Sequence, residues 1–374
     1  MLQVILIILY VILLGVFALA VWRLRYAYEH FKMKNLVTTK SMIDDMPSVT
    51  VCIPARNEHH VMSDALQSVI ASNYPKLEII VLDDMSGDDT SALIKAFAHE
   101  GVRFVEGTKL PAGWLGKNHA LQGLLNEASG TYVLFMDIDT RLSPDSIEQL
   151  VAYAKQEEVA MVSVLPRRED GFRASVLFSS LRYFWEIMFH RKSSPATASN
   201  AWLIHRKTLL DNWQGFESFK DAIQPESRIS SQLMATNQYR FLIGTEMLGV
   251  SYEKKWRSQL MTSVRLLFPL LQMKIPNGII AALDLLIVST PLWILASIFF
   301  VGFSFNHLIA IFFFLIFAGL YGMYLEKVWK SGWIMGGLLW PAIIVQEAIL
   351  VITSVIQYNR KSVTWKGRHV KLPK

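Results

Sequence analysis

The uncharged runs of this chain constrain its architecture most. Leu2 to Trp22 holds no charged residue over 21 positions, enough for a helix to cross a bilayer core once. Two more uncharged runs, Leu285–Phe305 and Leu308–Leu325, are joined by a tight Asn306-His307 turn. A last apolar stretch, Trp333–Tyr358, is broken by Pro341 and carries Gln346 and Glu347. The whole chain is 52% hydrophobic with a mean hydropathy of +0.31. That is too apolar for an ordinary cytosolic enzyme and too polar for a protein embedded throughout. A soluble domain joined to membrane segments accounts for both.

The first run has a rival reading as a cleavable signal peptide, and Ala18-Leu19-Ala20 has the look of a cleavage site. No positive charge precedes it, however, and it exceeds the usual ~7–15 apolar residues of such a peptide. An uncleaved anchor with its N-terminus outside is predicted. The net charge of +6 is placed at the flanks. Arg23, Arg25, Lys32, Lys34 and Lys40 follow the first run, and Arg360, Lys361, Lys366, Arg368, Lys371 and Lys374 follow the last. Basic residues beside apolar runs mark cytoplasmic membrane flanks. No aromatic-basic motif of a nucleic-acid module appears, so nucleic acid is not an expected partner. Cys52, the only cysteine, sits in apolar TVCIP and reads as a buried, inert thiol.

The predicted organisation is an anchor at 1–24, a cytoplasmic domain at 47–256, an interfacial segment at 257–284, transmembrane helices over 285–358 and a basic tail at 359–374. Leu266–Ile280 suits an interface because Pro269, Lys274 and Pro276 interrupt it and Arg265 precedes it. Three crossings after a cytoplasmic domain would put the basic tail outside, against the positive-inside rule. A re-entrant or interfacial last segment resolves this and keeps the tail cytoplasmic, since Pro341 and Glu347 at depth need protein or water around them.

From Pro47 the pattern alternates. Apolar runs Val49–Ile53, Glu78–Leu82, Arg103–Val105, Thr131–Met136 and Met161–Leu165 read as strands. Periodic stretches His60–Ser72, Thr90–His99 and Lys117–Ala128 read as helices, and Ser143-Pro144-Asp145 opens another with Ser143 as cap. Repeated β-α units imply an α/β domain, a mostly parallel sheet with helices on both faces. Ligands of such sheets sit beyond the carboxyl ends of the strands. Here those ends carry Pro54-Ala55-Arg56-Asn57-Glu58, Asp83-Asp84, and Asp137 with Asp139.

Asp137 and Asp139 are two apart, so in extended backbone both would point to one side. Two such carboxylates repel unless a cation lies beside them. Magnesium uses one or two carboxylates and completes its shell with phosphate and water, which makes a diphosphate a natural partner. A plain turn with helix-capping acids is the bland alternative. A phosphatase of the haloacid dehalogenase type is another, but Arg141 stands where that family has Thr or Val, and its motif lies on a first strand. Asp88, Asp89 and Thr90 would equally serve a capped turn, and His59-His60 reads as solvated.

Taken together, VTVCIPARNE at Val49–Glu58, YPKLEIIVLDDMSGDDT at Tyr74–Thr90 and VLFMDIDT at Val133–Thr140 resemble family 2 glycosyltransferases of the GT-A fold over about residues 47–240. LPAGWLGKNHAL at Leu110–Leu121 resembles the G-W-x-G-K segment of membrane members acting on hopanoid or carotenoid lipids. These include bacterial 4,4'-diaponeurosporenoate glycosyltransferases. VTWKGRHV at Val363–Val370 resembles the W-[KR]-G-R end of that group. Interfacial anchoring is the bland reading of Trp114 and Trp365.

The resemblance implies that Pro54, Arg56 and Glu58 line a nucleotide pocket, with Asp84 at the base or ribose. It implies Lys117 near the diphosphate, and Asp137 and Asp139 as the D-x-D, with Asp139 the more direct ligand of Mg2+ or Mn2+. After Gly215-Phe216 the family places Glu-Asp, whose Asp takes the acceptor proton. Here the aligned pair is Pro225-Glu226, so the base would be Glu226, one methylene longer. A carboxylate acceptor, such as a carotenoid acid, would need little base catalysis. Processive relatives carry Q-x-x-R-W, whereas Tyr252–Trp256 here keeps only the Trp and a cation, which favours single transfer. Arg167-Arg168 could meet lipid head groups, and Val176–Phe189 either lipid tails or the underside of the sheet. The implied activity is inverting, metal-dependent transfer from a nucleotide sugar, UDP-glucose by resemblance, to a lipid acceptor in the cell membrane. Polysaccharide or polyprenyl-phosphate glycosylation and a silent membrane scaffold are the alternatives.

Overall fold

The computed structural model describes residues 1–33, 46–169, 177–179, 181–329, 332–366 and 368–369. Lys34, Lys40, Val176, Lys371 and Lys374 lie outside them. The chain folds as two compact units. One, α/β, comprises Phe31–Arg167, His190–Glu253 and Thr364–Lys374; the other, apolar and helical, comprises Met1–His30, Arg168–Phe189 and Lys254–Val363.

The α/β unit is built on β1 (Val49–Ala55), β2 (Leu77–Asp83), β3 (Val102–Glu106), β4 (Tyr132–Met136), β5 (Thr140–Leu142), β6 (Met161–Leu165), β7 (Arg167–Arg168), β8 (Ala201–His205), β9 (Tyr239–Ile243) and β10 (Val250–Tyr252). A hairpin of β11 (Thr364–Trp365) and β12 (Arg368–His369) follows near the C-terminus. The main sheet runs β3-β2-β1-β4-β8-β6-β9. β1 is parallel to β2 and β4, β2 to β3, and β6 to β9. β8 is antiparallel to both β4 and β6. The sheet is thus mostly parallel, as the sequence pattern predicts, with one reversed strand that the pattern does not reveal. β5 pairs antiparallel with β10.

The strands are nearly continuous apolar runs because their faces are covered by helices. Val51, Ile53, Val81, Leu134 and Val164 join Met62 and Leu66 of the His59–Ile70 helix and Ile147 and Leu150 of the Ser146–Gln156 helix in one core. Each such side chain contributes about 1.5–3 kcal/mol on full burial. Cys52 is buried, and its thiol faces the Leu124 carbonyl at 3.8 Å, as expected of an inert group.

Two local expectations need correction. Ser143 does not cap the next helix. That helix starts at Ser146, with Asp145 at its N-cap position, and Ser146 Oγ accepts the Ser143 N–H at 3.0 Å. The Asp145 carboxylate accepts instead from Asn73 at 2.7 Å. Asp137 to Asp139 is likewise not extended. β4 ends at Met136, and the Thr140 N–H closes a turn onto the Asp137 carbonyl at 3.0 Å.

Among the described residues, the apolar unit has three helices long and apolar enough to cross a membrane: Gln3–His30, Phe305–Val328 and Trp340–Asn359. A fourth crossing is possible if the helices Trp256–Leu270 and Ile275–Val288, bent by 119°, count as one. Leu285–Phe305, predicted as one crossing, is instead broken into pieces ending at Val288, Ala296 and Val301. Pro291 lacks an N–H. Ser289, Thr290 and Ser297 hydroxyls each bond a carbonyl three residues back, which loosens a helix. The final stretch does break at Pro341, after a short Trp333–Leu338 helix. Glu347 is fully buried there, accepting from Trp185 Nε1 at 2.9 Å and the Leu181 N–H at 3.2 Å. The Arg182–Phe189 helix is therefore fixed inside this unit by a carboxylate in apolar surroundings.

Candidate active site

The site is assembled at the carboxyl ends of β1, β2 and β4, neighbours that run parallel. Pro54 is tolerated in a central strand because the ladder to β4 ends at Cys52. Beyond Ala55 the chain turns sharply at Asn57, whose φ of 53° lies in the left-handed region. That turn is laced to the loop after β2. Asn57 Oδ1 accepts the Gly87 N–H at 2.8 Å, Asn57 N–H reaches Ser86 Oγ at 2.9 Å, and Glu58 N–H reaches Thr90 Oγ1 at 2.9 Å. Arg56 donates to the carbonyls of Asp84 and of Met85, the latter at 3.2 Å.

Asp83 and Asp84 are both buried but differ in role. The Asp83 carboxylate accepts from the hydroxyls of Ser86 and Ser91, so it fixes its own loop. Asp84 instead accepts from Arg368 Nη1 at 2.6 Å. Burial pushes the Asp84 carboxyl above its ordinary value, opposed by Arg368, Arg56 and His119. Glu58 pairs with Lys366 at 2.7 Å, and Arg56 Nε donates to the Lys366 carbonyl at 3.3 Å. The hairpin β11-β12 therefore contributes two cations to the acidic strand ends. Sequence reasoning took Lys366 and Arg368 as membrane-flank charges, and in this they are corrected. Their signal was the W-K-G-R resemblance.

Lys117, in the first turn of the Gly116–Glu127 helix, bonds Asp137 Oδ1 at 2.6 Å. The Asp137 N–H is held by the Asn200 carbonyl at 2.8 Å, which also accepts from Thr140 Oγ1 at 3.1 Å. Arg141 donates to the carbonyls of Ile138 and Thr140 at 2.9 and 2.8 Å, clasping the turn that carries both aspartates. The Asp139 carbonyl accepts from the Glu253 N–H at 3.1 Å. Of the bland readings, Asp88 does cap its turn, accepting from Thr90, and it also takes the partly exposed His59 at 2.8 Å.

Glu226 is 2% exposed, in the first turn of the Pro225–Ala235 helix, with Pro225 opening that helix. A carboxylate there faces the positive end of the helix dipole. Glu226 follows the loop 215–222, which hydrogen-bonds to the Gly116–Glu127 helix. Asn118, buried in that helix, holds this loop; sequence reasoning missed it, although it follows Lys117 in the G-W-x-G-K segment.

Among the described residues, no group of three or more His, Cys, Asp or Glu gathers as a metal site. Asp137 and Asp139 offer two carboxylates in one turn. That donor set fits a hard cation that takes its remaining ligands from phosphate and water.

Residues 50–209 match the family model Glycosyl transferase family 2. They are a family 2 glycosyltransferase domain. The chain is 31% identical over 151 residues to the 4,4'-diaponeurosporenoate glycosyltransferase of Staphylococcus aureus strain N315 and 30% identical to that of strain USA300. Both matches cover 38% of this chain and 40% of the relative. The chain thus spans about two fifths of the length of these curated relatives. A mannosyltransferase from Pyrobaculum calidifontis, solved with GDP-Man and Mn2+, superposes with a TM-score of 0.60 at 20% identity, covering 96% of this chain and 98% of that one. At that identity the likeness is one of fold, and the fold is GT-A.

Proposed function

We propose that the protein is an inverting, metal-dependent glycosyltransferase that moves one sugar from a nucleotide sugar to a lipid acceptor at the membrane. UDP-glucose is the donor suggested by resemblance, and a carotenoid acid or other isoprenoid lipid the acceptor. The observation that carries this reading is the convergence of Glu58, Asp84, Asp137 and Asp139 at adjoining strand ends, with cations Arg56, Lys117, Lys366 and Arg368 against them. Carboxylates can accept from base and ribose while the cations meet the diphosphate.

In the reaction, the acceptor oxygen attacks the anomeric carbon from the face opposite the leaving group. The bond from that carbon to the diphosphate oxygen breaks, and the nucleoside diphosphate departs with the electron pair. Glu226 takes the proton when the acceptor is a hydroxyl; a carboxylate acceptor has none to give. Lys117 holds the Asp137 side chain and offsets charge developing on the leaving group, usually a large electrostatic contribution. Asp139 and Asp137 would hold Mg2+ or Mn2+, which would supply Lewis-acid neutralisation of the diphosphate. The long apolar helices suit an acceptor drawn from the bilayer, with the α/β domain on the cytoplasmic face.

The test is lipid extraction from cells expressing the wild-type chain or Asp139→Asn, read by mass for an added hexose. A hexosylated lipid with the wild type and none with the variant is expected. Equal products from both would remove the metal assignment. No binding of any UDP-sugar, with or without manganese, would remove the enzyme reading altogether and leave the scaffold.

A further inference from the structure

We propose that Asn118 is a positioning residue that sets Glu226 against the acceptor, so that one helical turn aligns the donor and acceptor sides of the site. The inference rests on Glu226 being the acceptor base. Asn118 is 1% exposed. Its Nδ2 donates to the carbonyls of Phe219 at 2.8 Å and Ala222 at 2.7 Å, with that of Lys220 at 3.2 Å. The Leu115 N–H also reaches the Lys220 carbonyl, at 2.8 Å. One turn further along, Gln122 Oε1 accepts the Phe216 N–H at 2.6 Å. Gly215 has φ 77°, and a Cβ there would meet Gln122 Oε1 at 2.5 Å. Phe216, fully buried, packs on Phe135 of β4 at 5.3 Å.

The loop 215–222 is thus held by the face of one helix over two turns, and three residues later it delivers Pro225-Glu226. The same first turn presents Lys117 to Asp137. Neighbours in sequence therefore serve opposite sides of the reaction, Lys117 the donor diphosphate and Asn118 the acceptor base. An amide suits position 118 because it can donate two hydrogens to converging carbonyls. Alanine would take its donor from the Ala222 carbonyl and leave those of Phe219 and Lys220 with only the Ala222 and Leu115 N–H groups, and the loop would shift. A shift of about 1 Å at a reacting group costs on the order of a hundredfold in rate.

The experiment compares Asn118→Ala, Asn118→Ser, Glu226→Gln and the double variant Asn118→Ala/Glu226→Gln in the full-length detergent-solubilised protein. It measures transfer kcat to a hydroxyl lipid acceptor, donor KM and UDP binding. Asn118→Ala is expected to lower kcat about a hundredfold while donor KM and UDP affinity stay within about threefold. Asn118→Ser, which keeps one donor, is expected to recover part of that rate. The double variant should be no slower than Glu226→Gln alone, because both changes act through one group. Wild-type kcat in Asn118→Ala with an inactive Glu226→Gln would overturn the positioning role alone. Parallel loss of UDP binding, or a multiplicative double variant, would overturn it too. Normal transfer by Glu226→Gln would instead remove the base assignment and the inference with it.

Discussion

Arg368 donates to the Asp84 carboxylate at 2.6 Å across 284 residues of sequence, tying the C-terminal hairpin to the end of β2. Asp84 is 2% exposed and burial raises its carboxyl, with Arg368 the first of the cations that oppose this. The proposed nucleotide role needs Asp84 ionised, as an acceptor for base or ribose donors. Replacing Arg368 by Ala takes away cationic support and raises the Asp84 carboxyl further. UDP affinity should then fall at a higher pH as the solution is acidified, while Arg368→Lys should hold the limb near its wild-type position. Calorimetric titration of UDP across the mildly acidic range checks this, and an unmoved limb in Arg368→Ala would separate Asp84 from nucleotide binding.

The Lys117–Asp137 pair is partly exposed, with side chains 19% and 25% accessible. Replacing Lys117 by Met takes a cation from the diphosphate and leaves Asp137 with more uncompensated charge. Donor KM should rise about tenfold, equivalent to ~1.4 kcal/mol. The manganese concentration giving half-maximal rate should fall, because the aspartates would attract a divalent ion more strongly. Movement of both quantities in the same direction would refute the assigned division of charge.

Glu226 is the base of the proposed mechanism. Glu226→Gln keeps the shape and removes the basicity, so transfer to a hydroxyl acceptor should drop by about 10²–10⁴. A carboxylate acceptor should be affected far less, since it has no proton to lose. Assaying one hydroxyl and one carboxylate lipid with the same variant therefore also reports the acceptor class. Equal activity of Glu226→Gln and Glu226→Asp on both lipids would exclude the residue from the mechanism.

Much of this site was legible because its acids stand where apolar strands stop. EIIVLD and YVLFMD end in aspartate, and the sheet order puts β2 and β4 on either side of β1. What stayed hidden depends on distant contacts. Asn118 bonds carbonyls 101 to 104 residues away, and a carbonyl leaves no mark in sequence. Arg368 and Lys366 look like any basic flank until the hairpin is seen against Asp84 and Glu58. The reversed β8 has the same apolar composition as its parallel neighbours, so its direction could not be read. Leu285–Phe305 was misjudged as one span because hydropathy counts serine and threonine as mildly polar but does not see their hydroxyls bonding backbone carbonyls.

Pro269 lies inside the Trp256–Leu270 helix and has no N–H to give the carbonyl of Arg265, four residues back. Tyr358, on the Trp340–Asn359 helix, supplies the missing donor, its hydroxyl reaching that carbonyl at 2.5 Å. Ser354, one turn earlier, accepts the Phe268 N–H at 3.0 Å and donates to the Val264 carbonyl at 2.5 Å. In apolar surroundings an unpaired carbonyl is costly, so Tyr358→Phe should destabilise the protein by ~1 kcal/mol, the scale of such bonds between membrane helices. Pro269→Ala restores an N–H for the Arg265 carbonyl. In that background Tyr358→Phe should cost little. Thermal unfolding of the four proteins in one detergent completes the cycle. A Tyr358→Phe penalty of the same size in both backgrounds would mean that the tyrosine ring's packing, rather than the hydrogen bond to the proline-freed carbonyl, holds the two helices together.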